Sequence, residues 1–93
     1  MADIYKALAD PTRRALLDEL VAKEGQTLFE LCTRLTARRD VEMSRQAISQ
    51  HLTVLEEAGL VHTRKEGRYK LHHVDLSPLE QIQERWATSK KES

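Results

Sequence analysis

Several features that identify particular classes of protein are scarce in this chain of 93 residues. A single cysteine, Cys32, excludes an intramolecular disulfide and a zinc site built from several thiolates of one chain. With only three glycines there is no glycine-rich loop for a phosphate, and no arrangement of Ser, His and Asp suggests catalysis. No apolar run approaches the roughly 20 residues of a membrane span, and no signal peptide is visible. We therefore expect a cytoplasmic protein that is not an enzyme and does not enter a membrane.

A surplus of charge of one sign is also missing, because 15 Lys and Arg balance 15 Asp and Glu. A net charge of zero at first argues against nucleic acid as a partner. The distribution is uneven, however, since residues 34–70 carry eight Lys or Arg and five Asp or Glu, a surplus of three. This surplus lies in a segment that also holds a predicted helix between residues 44 and 55, and a dimer would double it.

The most informative segment runs from Ser44 to Leu55. At 100° per residue, Ile48, Leu52 and Leu55 share one face of a helix, which predicts the core side. The opposite face carries amides and hydroxyls where ordinary surface helices carry Glu and Lys, and such groups suit base edges in a major groove. A polar surface helix is the alternative for this segment taken alone. We predict that this reading helix contacts DNA through Ser44, Arg45, Gln46, Ser49, Gln50 and His51, with His51 at the edge of the core side.

Helix start signals are clear in the segments before the reading helix. A short helix is predicted around residues 2–8, and Asp10 with Pro11 begins a second helix that stops at Gly25. Thr27 to Glu30 is a capping box for a third helix. The interval from Leu35 to Ser44 is longer than a compact turn, so either the third helix gains a turn or a loop holds Arg38 and Arg39. The second helix has a predicted buried stripe of Leu16, Leu17, Leu20 and Val21.

Beyond Gly59, a helix terminator, the pattern of side chains changes to a period of two. Residues 60–64 and 68–74 predict the two strands of a hairpin, which we call the wing, joined by residues 65–67. The tip of the wing concentrates cations, which would neutralise phosphates and add affinity without sequence information. The alternative is a solvated hairpin whose charges protect an edge strand. We predict DNA contacts by Arg64, Lys65, Arg68 and Tyr69.

A last helix is predicted from the capping box of Ser77 and Glu80 with Pro78 at its first position. Residues 88–93 are polar and are expected to be a frayed tail. Apolar residues recur on one side of this helix, and a chain of this length has little core to cover them. A dimer seam is therefore predicted, with intramolecular packing as the other use of these residues. The predicted dimer interface consists of Ile4, Tyr5, Leu8, Leu79, Ile82 and Trp86.

Taken in order, these elements predict a mainly α fold with a small β-hairpin. We expect a winged helix-turn-helix, one domain over residues 1–93, whose terminal helices form a dimer interface. The predicted function is regulation of transcription by binding double-stranded DNA. An alternative is a winged-helix module for protein contacts without DNA binding. Such a module would carry apolar residues at the positions of Gln46, Ser49 and Gln50.

Three segments of the chain resemble the ArsR/SmtB family of bacterial repressors. Residues 7–17 are similar to the opening signature of that family, residues 44–61 to its reading helix and the start of its wing, and residues 64–69 to its wing. The resemblance covers about residues 3–86, and the combination is specific although each piece alone is weak. It implies a homodimeric winged helix that represses transcription by occupying an operator, which for a dimer is an inverted repeat.

The metal ligands of this family are missing from the chain. Residues 30–32 resemble the thiolate motif of the arsenic- and cadmium-type members, but Arg34 stands where the second cysteine is expected. The interfacial metal site of the family needs Asp and His on the last helix, and residues 78–88 contain neither. We therefore predict no metal and no cofactor, with Cys32 packed in the core. The sequence indicates no effector, and His51, His72 and His73 are expected to serve in packing or DNA contact.

Overall fold

The computed structural model describes residues 4–80, and in this range the elements follow the predicted order. Four helices are followed by an antiparallel hairpin, and residues 77–80 begin a further helical turn. The predicted mainly α fold with a small β-hairpin is confirmed. The elements are α1 Ile4–Ala9, α2 Pro11–Ala22, α3 Leu28–Arg39, α4 Arg45–Glu57, β1 Val61–Glu66 and β2 Tyr69–Val74.

Side-chain caps fix the start of each long helix where the sequence predicts it. Asp10 accepts the backbone N–H of Arg13 at 3.0 Å and begins α2, with Pro11 at the first helical position. Thr27 and Glu30 form the expected capping box at α3. The Ser44 hydroxyl accepts the N–H of Ala47 at 3.1 Å and begins α4. At the other end of α4, Gly59 adopts φ of +79°, which favours glycine at the residue after a helix.

The hydrophobic core lies where α2, α3 and α4 meet the first residues of the wing. Ile48, Leu52 and Leu55 are buried, which confirms the predicted core side of the reading helix. The most deeply buried leucine and isoleucine side chains come from α2, α3 and α4 and from Leu60, the residue before β1. The fully buried leucines and isoleucine are Leu16, Leu20, Leu31, Leu35, Ile48, Leu55 and Leu60.

The predicted stripe of α2 is wrong at Val21, whose exposed fraction is 57%. Leu16 and Leu20, one helical turn apart, point at the centre of the core. Val21 lies beside Leu17 on the flank of the helix and lines a surface groove with Leu76 instead. The buried face of α2 is therefore narrower than the apolar stripe predicted from its sequence.

A third short segment joins the wing to the helical core. Gln26, between α2 and α3, pairs with His72 of β2 through two backbone hydrogen bonds, in which His72 N donates to Gln26 O at 2.7 Å and Gln26 N donates to His72 O at 3.2 Å. The buried amide of Gln26 also donates to the carbonyls of Glu19 and Lys23 at the end of α2. The wing is thereby fixed to the connection between α2 and α3.

Of the two options for the interval from Leu35 to Ser44, the structure has the longer helix. Helix α3 continues to Arg39 and ends at Asp40, which adopts a left-handed conformation with φ of 55°. Asp is one of the residues that tolerate this region at modest cost. Arg38 and Arg39 therefore belong to the last turn of α3 and not to a loop.

The start of the last helix differs in detail from the predicted capping box. The Ser77 N–H and hydroxyl both donate to Asp75 Oδ1, at 3.0 and 2.7 Å, and the first helical bonds are accepted by the carbonyl of Leu76. The helical turn thus begins one residue earlier than predicted. Ile82, Trp86 and the tail at 88–93 lie outside the described residues. No helix within residues 4–80 is long and apolar enough to span a membrane.

Candidate nucleic-acid interface

The outward side of α4 is a polar, solvent-exposed surface. Because Ile48, Leu52 and Leu55 turn inward, the residues between them turn outward. The exposed set begins at the cap and follows the first two turns of the helix. The predicted contact residues Ser44, Arg45, Gln46, Ser49 and Gln50 are all exposed.

Arg45 is held in place by an aromatic ring that the sequence pattern did not single out. Its guanidinium carbon lies 5.4 Å from the centre of the Phe29 ring of α3, within the range of a cation–π contact. Phe29 is 61% exposed, so this ring is a platform on the surface and not a core side chain. The contact restricts the freedom of Arg45 before any partner binds. Its sequence signal is the aromatic residue beside Glu30 in the first turn of α3.

His51 lies on the flank of α4 that faces α2, apart from the exposed set. Its side chain is 20% exposed, and Nδ1 is 3.2 Å from Arg13 Nη1 and 3.9 Å from Asp10 Oδ2. Its Nδ1 edge therefore faces the protein.

The turn of the wing begins two residues later than predicted, at Gly67, and this decides which face of the hairpin each cation lies on. β1 extends to Glu66, and Gly67 with Arg68 makes the turn. Lys65 lies directly opposite Lys70 in the pairing, and Arg64 lies opposite Leu71 on the other face. Like charges in direct cross-strand pairs are unfavourable for a hairpin. The pair of Lys65 and Lys70 is thus poorly explained by stability of the wing, and Lys70 was missed as a candidate contact.

A cleft connects the reading helix to the wing. It has a volume of about 340 Å³ and is lined by Ser49 of α4 and by Arg68, Tyr69 and Lys70 of the wing, with Thr27 at the start of α3. Its floor includes His72, one of the buried polar side chains. The fold therefore brings predicted contact residues from two separate segments to one surface. Tyr69 is 59% exposed at its rim.

Three arginines of the basic segment are bound to a carboxylate outside that segment. Glu19 of α2 is 1% exposed, and its two oxygens accept Arg34 Nε and Arg39 Nε at 2.8 Å each, with Arg38 Nε at 3.3 Å. Burial raises the pKa of Glu19, but the hydrogen bonds from Arg34 and Arg39 outweigh it and hold the pKa below its ordinary value of 4.5. The surplus of positive charge counted over residues 34–70 is thus partly neutralised. Arg38 and Arg39 therefore do not belong to a solvated loop, because both lie in α3 and contact Glu19.

The residues that remain of the family's thiolate motif do not fit a metal ion. Burial raises the pKa of the Cys32 thiol, with Arg45 offsetting part of the effect, so the thiolate form that binds metal is disfavoured. Arg34, at the position of the missing second cysteine, is bound to Glu19. Within residues 4–80 no group of three or more His, Cys, Asp or Glu side chains is placed to hold a metal ion. Cys32 is half-buried and packs against the core.

Four of the predicted dimer residues, Ile4, Tyr5, Leu8 and Leu79, lie within the described part of the chain. Ile4, Leu8 and Leu79 are half-buried against the core of their own chain, and Tyr5 is 54% exposed. A groove of about 360 Å³ on this chain is lined by Leu8, Leu17, Val21, Leu76 and Leu79, together with the charged residues Arg14 and Asp18.

Comparison with known proteins agrees with this geometry. A sequence profile described as a helix-turn-helix domain matches residues 8–64. The chain is 45% identical over 83 residues to an uncharacterized HTH-type transcriptional regulator, YuzN, of Bacillus subtilis, covering 89% of this chain and 90% of that protein. It is 36% identical over 75 residues to the arsenical resistance operon repressor of Escherichia coli, covering 81% of this chain and 57% of that protein.

Solved structures give the same result for the fold. The chain is similar to the crystal structure of an ArsR family transcriptional regulator, with a TM-score of 0.73 and 30% identity, covering 99% of this chain and 94% of that one. These similar proteins are regulators of transcription and not enzymes. The likeness extends over nearly the whole chain and includes both the reading helix and the wing. This chain therefore belongs to the ArsR family of winged helix-turn-helix transcriptional regulators, which bind DNA.

Proposed function

We propose that this protein is a repressor that binds an inverted-repeat operator as a homodimer, through α4 in the major groove and the wing on the phosphate backbone. The observation that carries the proposal is the exposed polar face of α4, which shares a cleft with the wing. A relative of this chain in Escherichia coli is named as the repressor of an operon. Such a role requires access to chromosomal DNA, so we also propose a cytoplasmic location.

Base recognition is assigned to Arg45, Gln46, Ser49 and Gln50. Arg pairs with guanine, and Gln with adenine, through two hydrogen bonds at once, and Ser serves either base. Arg45 has the strongest support because its stacking on Phe29 lowers the conformational entropy lost when a base is bound. Ser44 caps α4, and the first turn of this helix remains free to approach the DNA backbone.

The test begins with selection of bound sequences from random duplex DNA by the unmodified protein. Arg45→Ala should weaken binding to the selected duplex by roughly 1–3 kcal/mol and relax the preference at one base position. Thr53→Ala is the matched control, since this exposed hydroxyl donates to the Ser49 carbonyl of its own helix. Unchanged affinity for all four alanine variants at 45, 46, 49 and 50 would reject base recognition by α4. Failure to select any sequence would favour a protein-contact module instead.

Phosphate contact is assigned to Arg64, Lys65, Arg68 and Tyr69, and Lys70 is now added. Support comes from the register of the hairpin, which sets Lys65 directly opposite Lys70. A phosphate lying along the cleft would relieve this repulsion. The contribution is expected to be independent of base sequence.

Dimerisation is assigned to the surface formed by α1, the flank of α2 and the start of the last helix. The exposed apolar residues Tyr5, Val21 and Leu76 support this assignment, as does the apolar groove beside them. Ile82 and Trp86 are proposed to extend the same surface on the grounds of their spacing in the sequence. Two protomers joined in this way would present two reading helices roughly 34 Å apart, one turn of DNA.

Sedimentation at micromolar concentration tests the assembly. Trp86→Ala should raise the dimer dissociation constant and weaken binding to the selected duplex in parallel, whereas Trp86→Phe should retain most of both. A monomeric parent protein, or a Trp86→Ala variant that remains a dimer of unchanged affinity, would show that the dimer surface lies elsewhere.

A further inference from the structure

Arg13 of α2 connects the end of α1 to the reading helix. Its Nε donates to the carbonyl of Ala7 at 2.7 Å, and its Nη2 donates to the carbonyl of Lys6 at 2.9 Å. These carbonyls belong to the last turn of α1. The remaining terminal nitrogen, Nη1, lies 3.2 Å from Nδ1 of His51 on α4. One guanidinium therefore contacts three groups on two other helices.

This geometry determines which ring nitrogen of His51 carries the proton. A guanidinium has only donors, so Nδ1 of His51 must be the acceptor. A neutral imidazole whose Nδ1 accepts a hydrogen bond carries its proton on Nε2. The two charged groups that face this ring are Arg13 of α2 and Asp10, the N-cap of that helix. Asp10 would favour a protonated ring, but its oxygen is 3.9 Å from Nδ1, beyond hydrogen-bond length, and already accepts the N–H of Arg13.

The other edge of the ring has no partner among residues 4–80. Nδ1 accounts for the contacts of His51 with the described residues, and Nε2 is not enclosed by the protein. The ring sits one and two positions beyond Gln50 and Ser49 along the same helix, on the flank between the core side and the exposed face. A donor in this position can meet the phosphate backbone at the edge of the groove that α4 enters.

We propose that Arg13 is a positioning residue that holds His51 in the Nε2–H tautomer, so that His51 donates to a DNA phosphate as a neutral group. The inference rests on the proposed entry of α4 into the major groove. Arg13 acts here through His51 and does not itself touch DNA. Because the same guanidinium caps α1, the orientation of this donor is tied to the helix that we assign to the dimer surface.

The first test is made on the unmodified protein. An NMR spectrum that correlates the ring nitrogens with the ring protons should show His51 with Nε2 protonated and Nδ1 unprotonated near neutral pH, with the signal assigned by its loss in His51→Asn. The Nδ1–H tautomer, or a doubly protonated ring under these conditions, would overturn the inference, and the variant serves only to assign the signal.

The second test uses variants and the duplex selected by the unmodified protein. Asn at position 51 retains an acceptor near Nδ1 but has no group at Nε2, so His51→Asn should weaken binding by about three- to tenfold. Arg13→Lys keeps the charge but cannot form the three contacts at once, and it should cause a loss of similar size. Lys23→Arg is the control, because Lys23 is an exposed cation at the end of α2 whose ammonium donates to Glu30 of α3.

Two further readouts separate this inference from a general loss of structure. The Arg13→Lys, His51→Asn double variant should bind no more weakly than His51→Asn alone. Both changes disrupt the same contact, the one that His51 makes with DNA. The dependence of log K on log salt should keep its slope in His51→Asn, because a neutral donor releases no counterion. Additive losses, or a slope reduced by about one, would contradict the proposal. If Arg45→Ala weakens binding while His51→Asn does not, only this inference fails; if His51→Asn and all four alanine variants at 45, 46, 49 and 50 leave binding unchanged, base recognition by α4 fails as well.

Discussion

Replacing Glu19 by Gln tests whether the contacts between α2 and α3 depend on one buried carboxylate. Glu19 is 1% exposed and accepts Nε–H groups of Arg34 and Arg39 at 2.8 Å. Gln has nearly the same shape but offers one oxygen and one amide group. The amide would face a guanidinium, donor against donor, so at least one of the two short hydrogen bonds is lost and the attraction of the full charge disappears.

The expected cost follows from these contacts. A hydrogen bond to a charged group contributes about 1.5–3 kcal/mol, and breaking a fully buried ion pair costs about 3–5 kcal/mol. The side chains of Arg34 and Arg39 are 28% and 36% exposed, so water replaces part of what they lose. We therefore expect Glu19→Gln to lower the free energy of unfolding by about 2–3 kcal/mol. For a domain of this size that corresponds to roughly 10–20 °C in Tm.

Urea unfolding followed by circular dichroism, at equal protein concentration, measures this cost. The control is Asp18→Asn, because Asp18 is the neighbouring carboxylate, is 64% exposed and lies 3.8 Å from the same Arg39. Its loss should stay below about 0.5 kcal/mol. A loss in Glu19→Gln no greater than that in Asp18→Asn would refute the reasoning.

The same substitution should change the response of stability to acid. The folded-state pKa of Glu19 lies below its ordinary value, so its contribution is complete above the unfolded pKa and is lost as the pH falls through the folded pKa. The parent protein should therefore lose more stability than Glu19→Gln when the pH is lowered through this range. Equal losses in the two proteins would show that the carboxylate is not stabilised by folding.

Three further predictions concern the wing, its anchor and metal ions. Arg68→Ala should weaken binding to the selected duplex and to random DNA alike and reduce the salt slope by about one, which titration over a range of salt measures; a loss confined to the selected duplex would contradict this. Gly25→Ala should lower the free energy of unfolding by about 1–2 kcal/mol, because Gly25 has φ of +74° and an added Cβ would meet His73 Cε1 at 3.3 Å. Gly67→Ala, at a similar φ but with nothing within 4 Å, should cost less and serves as its control. Protein purified without chelator should contain no stoichiometric metal, and EDTA should leave its DNA affinity unchanged; a bound ion whose removal alters that affinity would refute the prediction.

The parts of the fold that were predictable from the sequence depend on local signals. The caps at Asp10, Thr27 and Ser44 act on N–H groups three residues ahead, so their effect is visible in a short window of sequence. The core side of α4 follows from the helical period alone. The wing turn was displaced because Lys65 and Glu66 are compatible with either a turn or a strand, and the pairing with Tyr69 and Lys70 decides between them.

The parts that sequence analysis missed depend on contacts between distant residues. Nothing around Glu19 indicates that arginines 15 to 20 positions later will surround it. The burial of His72 likewise requires Gln26, whose backbone pairs with it across 46 positions. The same holds for Phe29 beneath Arg45, which only the crossing of α3 and α4 brings together. Residue type alone would assign Glu19 to the surface and Phe29 to the core, the opposite of what the structure has.

The zero net charge of the chain is compatible with DNA binding because of where its charges lie. At physiological salt a charge is screened within about 8 Å, so a phosphate responds to nearby groups and not to the sum over the molecule. Glu19 uses its charge inside the protein to hold α3 against α2, and this occupies Arg34 and Arg39 of the basic segment as well. The exposed cations of the cleft, Arg68 and Lys70, lie beside Ser49 on the side where α4 is polar. The proposed contact of this surface with DNA therefore depends on the position of its charges and not on their total count.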